Sequence, residues 1–260
     1  MNRDQFLETT VEDGAAFVSI DRPPLNVLGF SQFERVCTSI LELIGSREVR
    51  VVVLAGTADA FGSGFDIKEI EKCLEPERMK SETTRIKVLL MKMEAATKPI
   101  IAAIRGICFG GGLELAMACH LRIAASDAKM GVPEIKLATI PTLGGTVRLP
   151  RIVGRAHALE LLLTGKIISG QDGFSMGLVN EVCKDEEVMT RATGLARTIA
   201  EKGRLAVEAA VQVVDGSMRL SLSEAMDLES EVSGRLIGTH DLKEGVTAFF
   251  ERRKPVFTHS

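Results

Sequence analysis

An α/β fold with a helical C-terminal region is the architecture this sequence predicts, on three observations. Short β-rich apolar runs alternate with amphipathic stretches along the first two thirds of the chain, the rhythm of βαβ units. Glycine-rich turns join two of those runs to helix starts. From about Val188 onward strand signals give way to helical periodicity alone. With 260 residues, 45% of them hydrophobic, the chain is long enough for one large core, or for a core with a small appendage, and reads as a soluble globular protein.

The elements follow in order. Ala15-Ala-Phe-Val-Ser-Ile20 and Val51-Val-Val-Leu-Ala55 read as buried strands, ended by the turn signals Asp21-Arg-Pro-Pro24 and Gly56-Thr57. Between them Phe33, Val36, Ile40, Leu43 and Ile44 recur at helical spacing, so residues 32–44 are predicted helical, with Ser31 as N-cap and Gly45 as stop. Residues 79–95 form a second amphipathic stretch, 99–104 a strand and Leu121-Arg-Ile-Ala-Ala125 another. Helical patterns then cover 188–200, 205–214, 221–236 and 242–253. The chain thus divides into a core, 1–187, and a helical region, 188–260. That region carries more apolar positions (Leu220, Leu222, Met226, Leu228, Val232, Leu236) than a small appendage hides within itself, which predicts packing against neighbouring subunits.

Gly110-Gly-Gly-Leu-Glu114 is the most informative segment. It follows the strand at 99–104 and leads into Leu115-Ala-Met-Ala-Cys119, the order of strand, tight turn and helix start. Glycines let the backbone approach a ligand without Cβ clashes, and the first helical turn leaves N–H donors unpaired. Such a turn suits an anion or oxyanion. Glu114 would lie within about one helical turn, ~5 Å, of whatever those donors hold, which suggests acid–base chemistry beside a stabilised oxyanion. A glycine cluster also serves as a packing device, and an acidic residue in a first turn is favoured by the helix dipole alone.

Two further segments carry the same signals. Ala60-Phe-Gly-Ser-Gly-Phe-Asp-Ile-Lys-Glu-Ile70 combines glycines with an emerging helix, although Gly-Ser-Gly is also ordinary loop composition. Lys129-Met-Gly-Val-Pro-Glu134-Ile-Lys-Leu137, followed by Ile140-Pro-Thr-Leu-Gly-Gly-Thr-Val-Arg-Leu149, brings a second glutamate beside a glycine-rich turn.

Composition narrows the function classes. A formal charge of −3, from 32 basic and 35 acidic residues, gives no electrostatic case for nucleic acid, and no basic stripe is interleaved with aromatics. No apolar run approaches the ~20 residues that span a bilayer, and Met1-Asn-Arg-Asp-Gln-Phe6 lacks the apolar stretch of a signal peptide, so an intracellular, cytoplasmic protein is expected. Cys37, Cys73, Cys108, Cys119 and Cys183 are scattered and read as reduced thiols. His120, His157, His240 and His259 show no ligand spacing, so no metal is expected. The absence of Tyr removes dehydrogenases built on a Tyr-Lys pair. A nicotinamide enzyme on a similar turn is opposed by Leu115, which stands where G-x-G-x-x-G needs its last glycine.

In order and spacing these segments resemble the crotonase, or enoyl-CoA hydratase/isomerase, family. The resemblance runs from Ile20-Asp-Arg-Pro-Pro-Leu-Asn-Val27 through Phe61-Gly-Ser-Gly-Phe-Asp-Ile-Lys68, Gly110-Gly-Gly-Leu-Glu-Leu-Ala116, Pro133-Glu-Ile-Lys-Leu137 and Leu163-Thr-Gly165 to Glu244-Gly-Val-Thr-Ala-Phe-Phe-Glu-Arg-Arg253. It implies a spiral of ββα units, a C-terminal helical trimerisation region, homotrimers or homohexamers, and an acyl-CoA thioester as substrate with no separate cofactor. It further implies that the backbone N–H groups of Phe65 and Gly111 form an oxyanion hole and that Glu114 and Glu134 are the two catalytic carboxylates of a hydratase, Glu114 activating water and Glu134 donating a proton. CoA would run along Phe65, Asp66, Ile67 and Lys68, with Gly111 at the thioester and Phe249 and Arg252 reaching a CoA on another subunit. Residues 71–85 are expected to shape the acyl pocket.

Departures from the family pattern are Thr142-Leu143 where a Gly and a small residue are common, Val147 for a frequent Gln, Phe65 for Ala and His120 for Asp. Thr142 keeps an N–H for a catalytic water but narrows the pocket, and His120 reads as structural. Retention of both glutamates favours a 2-enoyl-CoA hydratase. The alternatives are an enoyl-CoA isomerase or another acyl-CoA activity on the same scaffold, and a non-catalytic binding protein that keeps only the fold.

Overall fold

A computed structural model describes residues 6–260. β1 (Leu7–Glu12) and β2 (Ala15–Ile20) form a hairpin, and α1 (Phe30–Gly45) leads to β3 (Val51–Ala55) and β4 (Ala60–Gly62). Next come α2 (Ile67–Glu71), α3 (Pro76–Glu94), β5 (Ile100–Ile104), β6 (Ile107–Phe109), α4 (Gly111–Met117), β7 (Leu121–Ala125) and β8 (Lys129–Gly131). After a 3-10 turn, Pro133–Leu137, the chain continues through α5 (Gly145–Thr164), β9 (Ile168–Ser169), α6 (Gly170–Ser175) and β10 (Glu181–Cys183). α7 (Val188–Ala200), α8 (Arg204–Ser217), α9 (Leu222–Gly234) and α10 (His240–Glu251) complete the described chain.

Successive strands alternate between two sheets. β1-β2-β3-β5-β7-β10 form one sheet and β4-β6-β8-β9 the other. From β2 to β10 the larger sheet is parallel, and β4, β6 and β8 are parallel to each other. Each pair β3–β4, β5–β6 and β7–β8 therefore gives one strand to each sheet before the chain turns into helix, which is the expected ββα spiral. The central strands of the larger sheet are covered on both faces: every residue of β3 and β5 is buried. Their continuous apolar sequence follows from that double burial, and each buried Ile, Leu or Val contributes roughly 1.5–3 kcal/mol. α7 covers one face through Val188, Ala192, Ala196 and Ala200, a spacing of four that puts small side chains along one stripe.

The predicted strands at Ala15–Ile20, Val51–Ala55 and Leu121–Ala125 and the four C-terminal helices are present. α1 departs from expectation at both ends. Ser31 lies inside the helix: Gly29 is the N-cap, its N–H donating to the Gln32 side chain, while the Phe30 N–H donates to Glu69 Oε2 from α2. The cap is supplied from 39 residues away in sequence. At the other end Gly45 is still helical and Ser46 is the C-cap. α5, which the sequence pattern did not reveal, carries Pro150 and is interrupted at Gly154, with φ 76° and ψ 163°.

Beyond α7 the helices are thinly buried. α8 has no buried residue and α9 only Val232, whereas Met218, Leu222, Ile237, Phe249 and Phe250 are each more than two thirds exposed. All five cysteines are free, and four are buried. No helix among the described residues is long and apolar enough to cross a membrane. Among them no three His, Cys, Asp or Glu side chains gather as a metal cluster.

Candidate active site

The adjacent strands β6 and β8 deliver the two glutamates to one place. At the end of β6 the chain turns at Gly110, whose N–H donates to the Gly131 carbonyl at the end of β8, locking the two strand ends together. Gly110 has φ 49° and ψ −123°, a conformation open to glycine, and a Cβ there would lie 2.6 Å from Glu134 Oε1. Glu134, three residues past Gly131 on the 3-10 turn, therefore rests over the start of α4 because residue 110 has no side chain.

Glu114 sits in the first turn of α4 and is 2% exposed. Its Oε1 accepts from the Leu143 and Gly145 N–H groups, both at 2.7 Å. Gly145 is needed for that approach: a Cβ there would stand 3.1 Å from Glu114 Oε1 and 2.7 Å from Pro141 Cβ. Burial pushes the Glu114 carboxyl up to about 7; the Gly145 and Leu143 N–H groups and Arg148 oppose the rise, and Glu134 adds to it. Glu134 is raised too, chiefly by burial, and its Oε2 is buried without a hydrogen-bond partner. Both carboxyls have a raised affinity for protons, and Glu114, at about 7, can take and return one near neutral pH.

A stability test follows from the sign of the Glu114 shift. Between its ordinary value of 4.5 and about 7 the folded protein holds a proton that the unfolded chain releases, so this group's contribution to stability falls as pH rises through that window. Glu114→Gln removes the dependence. Thermal unfolding is expected to show the variant gaining on the parent protein from pH 4.5 to 7, and a constant difference would contradict the assignment.

Two backbone donors flank the carboxylates. Leu28 forms an isolated parallel bridge with Phe65: the Leu28 N–H donates to the Gly64 carbonyl and the Asp66 N–H to the Leu28 carbonyl. Peptide groups of an extended segment alternate in direction, so the Phe65 N–H faces away from Leu28. Gly111 is the first residue of α4, where the N–H has no partner within the helix. Gly64 brings the segments together, since a Cβ there would lie 3.6 Å from the Gly111 nitrogen. The Phe65 ring stacks on buried Phe33 at 4.9 Å between centroids and tilts against Phe30 at 4.7 Å, which fixes the backbone that bears the donor.

These groups open into a cleft of about 750 Å³ whose lining includes Phe65, Ile67, Gly111, Glu114 and Glu134. Cys73, Leu74, Pro76, Met79 and Thr83 form part of its wall, within the segment expected to shape it, and Ile140 and Thr142 face them. The Asp66 side chain is spent on capping α2, where it accepts from the Lys68 N–H at 3.0 Å. Lys68 is absent from the lining, whereas Lys80 and Lys87, which no sequence motif sets apart, are part of it. Phe249 lines a separate apolar groove among the C-terminal helices, and Arg252 ends α10 in a left-handed conformation, so neither joins the cleft of its own chain. His120 is structural: its Nδ1 accepts from the Ile100 N–H at 3.0 Å, which leaves Nε2–H to donate to the Ala96 carbonyl at 2.9 Å. Thr142, whose N–H is expected to hold the catalytic water, lines the cleft, and the Leu143 and Gly145 N–H groups beside it are engaged by Glu114.

The family model described as enoyl-CoA hydratase/isomerase matches residues 10–260. A probable enoyl-CoA hydratase of Bacillus subtilis is 39% identical, over 96% of this chain and 98% of that protein. A crotonyl-CoA hydratase of Syntrophomonas wolfei is 37% identical over 95% of each. The crystal structure of an enoyl-CoA hydratase from Bacillus anthracis superposes with a TM-score of 0.93 at 32% identity, covering 98% of this chain and 100% of that one.

Proposed function

Because the chain belongs to the enoyl-CoA hydratase/isomerase family, we propose that its cleft adds water across the 2,3-double bond of an acyl-CoA thioester, with Glu114 and Glu134 as the acid–base pair. The juxtaposition of a buried carboxyl, Glu114, and a half-buried one, Glu134, with two backbone N–H groups that have no partner among the described residues carries this reading. The thioester oxygen accepts from the Phe65 and Gly111 N–H groups. Glu114 takes a proton from water as its oxygen bonds to C3, and the electron pair of the double bond moves onto the thioester oxygen as an enolate. Protonated Glu134 then delivers its proton to C2, giving the 3-hydroxyacyl thioester. Each hole donor is expected to stabilise the enolate by about 3–4 kcal/mol. The division of labour follows the family resemblance, and two N–H donors on Glu114 Oε1 support the anionic form that takes a proton from water.

An enoyl-CoA isomerase needs one carboxyl and the hole alone, and a protein that has kept only the fold needs neither. Turnover of a panel of 2-enoyl-CoA thioesters, followed through the absorbance of the conjugated double bond and the mass of the product, separates the three: the absorbance falls with gain of one water for a hydratase, falls with no change of mass as the double bond leaves conjugation for an isomerase, and is unchanged for a binding protein.

CoA enters as part of the substrate and no other cofactor is needed. Its carrier portion runs along residues 65–68, with Phe65 and Ile67 in the cleft wall, and Lys68, exposed outside that wall, is the proposed phosphate contact. Calorimetry is expected to show acetoacetyl-CoA binding, acyl-pantetheine binding more weakly for want of the adenosine phosphates, and NAD not binding. NAD binding without CoA binding would overturn the assignment. Homotrimers or homohexamers are proposed from the exposed apolar residues of α8 to α10, with Phe249 and Arg252 contributing to a neighbouring subunit's CoA site. Sedimentation of a stable monomer at micromolar concentration would contradict this. A cytoplasmic setting is proposed from the five unpaired cysteines.

A further inference from the structure

The loop that holds Glu114 is itself held from outside the cleft. Arg148, one turn into α5 and 7% exposed, donates from one terminal guanidinium nitrogen to the Leu143 carbonyl at 3.0 Å and from the other to Glu94 Oε2 at 3.0 Å. The guanidinium lies against Gly144, where φ is 110° and a Cβ would stand 2.2 Å from its nitrogen, and the Arg148 N–H donates to the Gly144 carbonyl at 2.8 Å. The peptide so clamped lies between the two N–H groups that meet on Glu114 Oε1. The Arg148 backbone N–H holds the planar 144–145 peptide and with it the Gly145 N–H, while the guanidinium holds the 143–144 peptide that joins Gly145 to Leu143 and so restrains the turn that carries both donors.

We propose that Arg148, tethered by Glu94 at the end of α3, is the positioning residue that aims the Leu143 and Gly145 N–H groups at Glu114 and so sets the orientation and basicity of that carboxylate. This rests on the reading of Glu114 as the water-activating base. Arg148 touches neither the carboxylate oxygens nor the Phe65 and Gly111 donors; it acts through the turn. The charged groups that face Glu114 are Glu134, from the turn after β8, and Arg148 itself. Loss of the guanidinium removes its charge and loosens the two N–H bonds, and both changes favour the protonated form of Glu114.

The experiment compares Arg148→Met and Glu94→Ala with the parent protein in crotonyl-CoA hydration across pH, together with a crystal structure of each variant. Arg148→Met is expected to lower kcat about 10- to 100-fold, the cost of a misplaced catalytic group, with KM little changed. The acidic limb of its pH profile is expected to move upward, and the turn at residues 143–145 to be displaced. Glu94→Ala, at a side chain 39% exposed, should fold and shift the same quantities in the same direction by less. A folded Arg148→Met with unchanged kcat, an unmoved acidic limb and an undisturbed turn overturns the proposal. Should Arg148→Met fail to fold, an unmoved limb and turn in Glu94→Ala overturn it. If the parent protein hydrates no enoyl-CoA, the reading of Glu114 fails instead, and the turn's position in the variant crystals still decides whether Arg148 holds it.

Discussion

Glu114→Gln is expected to lower enoyl-CoA hydration by at least ~100-fold while the protein stays folded, the lower end for loss of a general acid or base. Glutamine keeps an oxygen that can accept the Leu143 and Gly145 N–H groups, so the turn after Pro141 need not move. It has no carboxylate to take a proton from water. Acetoacetyl-CoA should therefore bind the variant as it binds the parent protein, since the Phe65 and Gly111 donors are untouched. Near-parental turnover in the folded variant would remove Glu114 from the mechanism. Double-bond migration that survives when hydration is lost would favour the isomerase.

Glu134→Gln is expected to cost at least ~100-fold as well, by a different route. The amide fills the space over Gly110 that the carboxyl fills, but it cannot release a proton to C2. Exchange of C2 hydrogens of a saturated acyl-CoA with deuterated water, followed by NMR, separates the two glutamates. That exchange should be lost in Glu134→Gln and retained in Glu114→Gln, because only the first removes the group at C2. Equal loss in both variants would mean that the roles are shared.

Those two glutamates were legible because each stands in a local sequence that announces a turn: Gly110-Gly-Gly before Glu114 and Gly131-Val-Pro before Glu134. Phe65 and Gly111 were legible for the same reason, although the contribution proposed for them is a backbone N–H that any residue but proline carries. The donors at Leu143 and Gly145 were not, since nothing in a side-chain pattern says which distant carboxylate a peptide group will meet. Lys80 and Lys87 lie in the amphipathic stretch 79–95 with no motif to set them apart, and it is the tertiary placement of α3 that brings them to the cleft. Asp66 is a helix cap whose position inside a ligand-suggestive motif gave it a second reading.

The fold shows the same division. Long, strongly periodic elements such as α1, α3 and α7 were visible, whereas β4, β6, β8 and β10 have three residues each, too few for an alternation to register. α5 was hidden by Pro150 and Gly154, two residues that argue locally against a helix of its length. The cap on α1 was misread because Glu69, which supplies it, arrives through tertiary packing.

The central claim is that two carboxyls and a backbone hole deliver the elements of water to C3 and C2. Its most direct test is to incubate the protein with crotonyl-CoA in water enriched in heavy oxygen and, separately, in deuterated water, and to read the product by mass spectrometry. The expected product is a 3-hydroxybutyryl thioester carrying one solvent oxygen at C3 and one solvent hydrogen at C2, formed by the parent protein and lost in both glutamate variants. Solvent hydrogen entering the thioester with no solvent oxygen at C3 would contradict it.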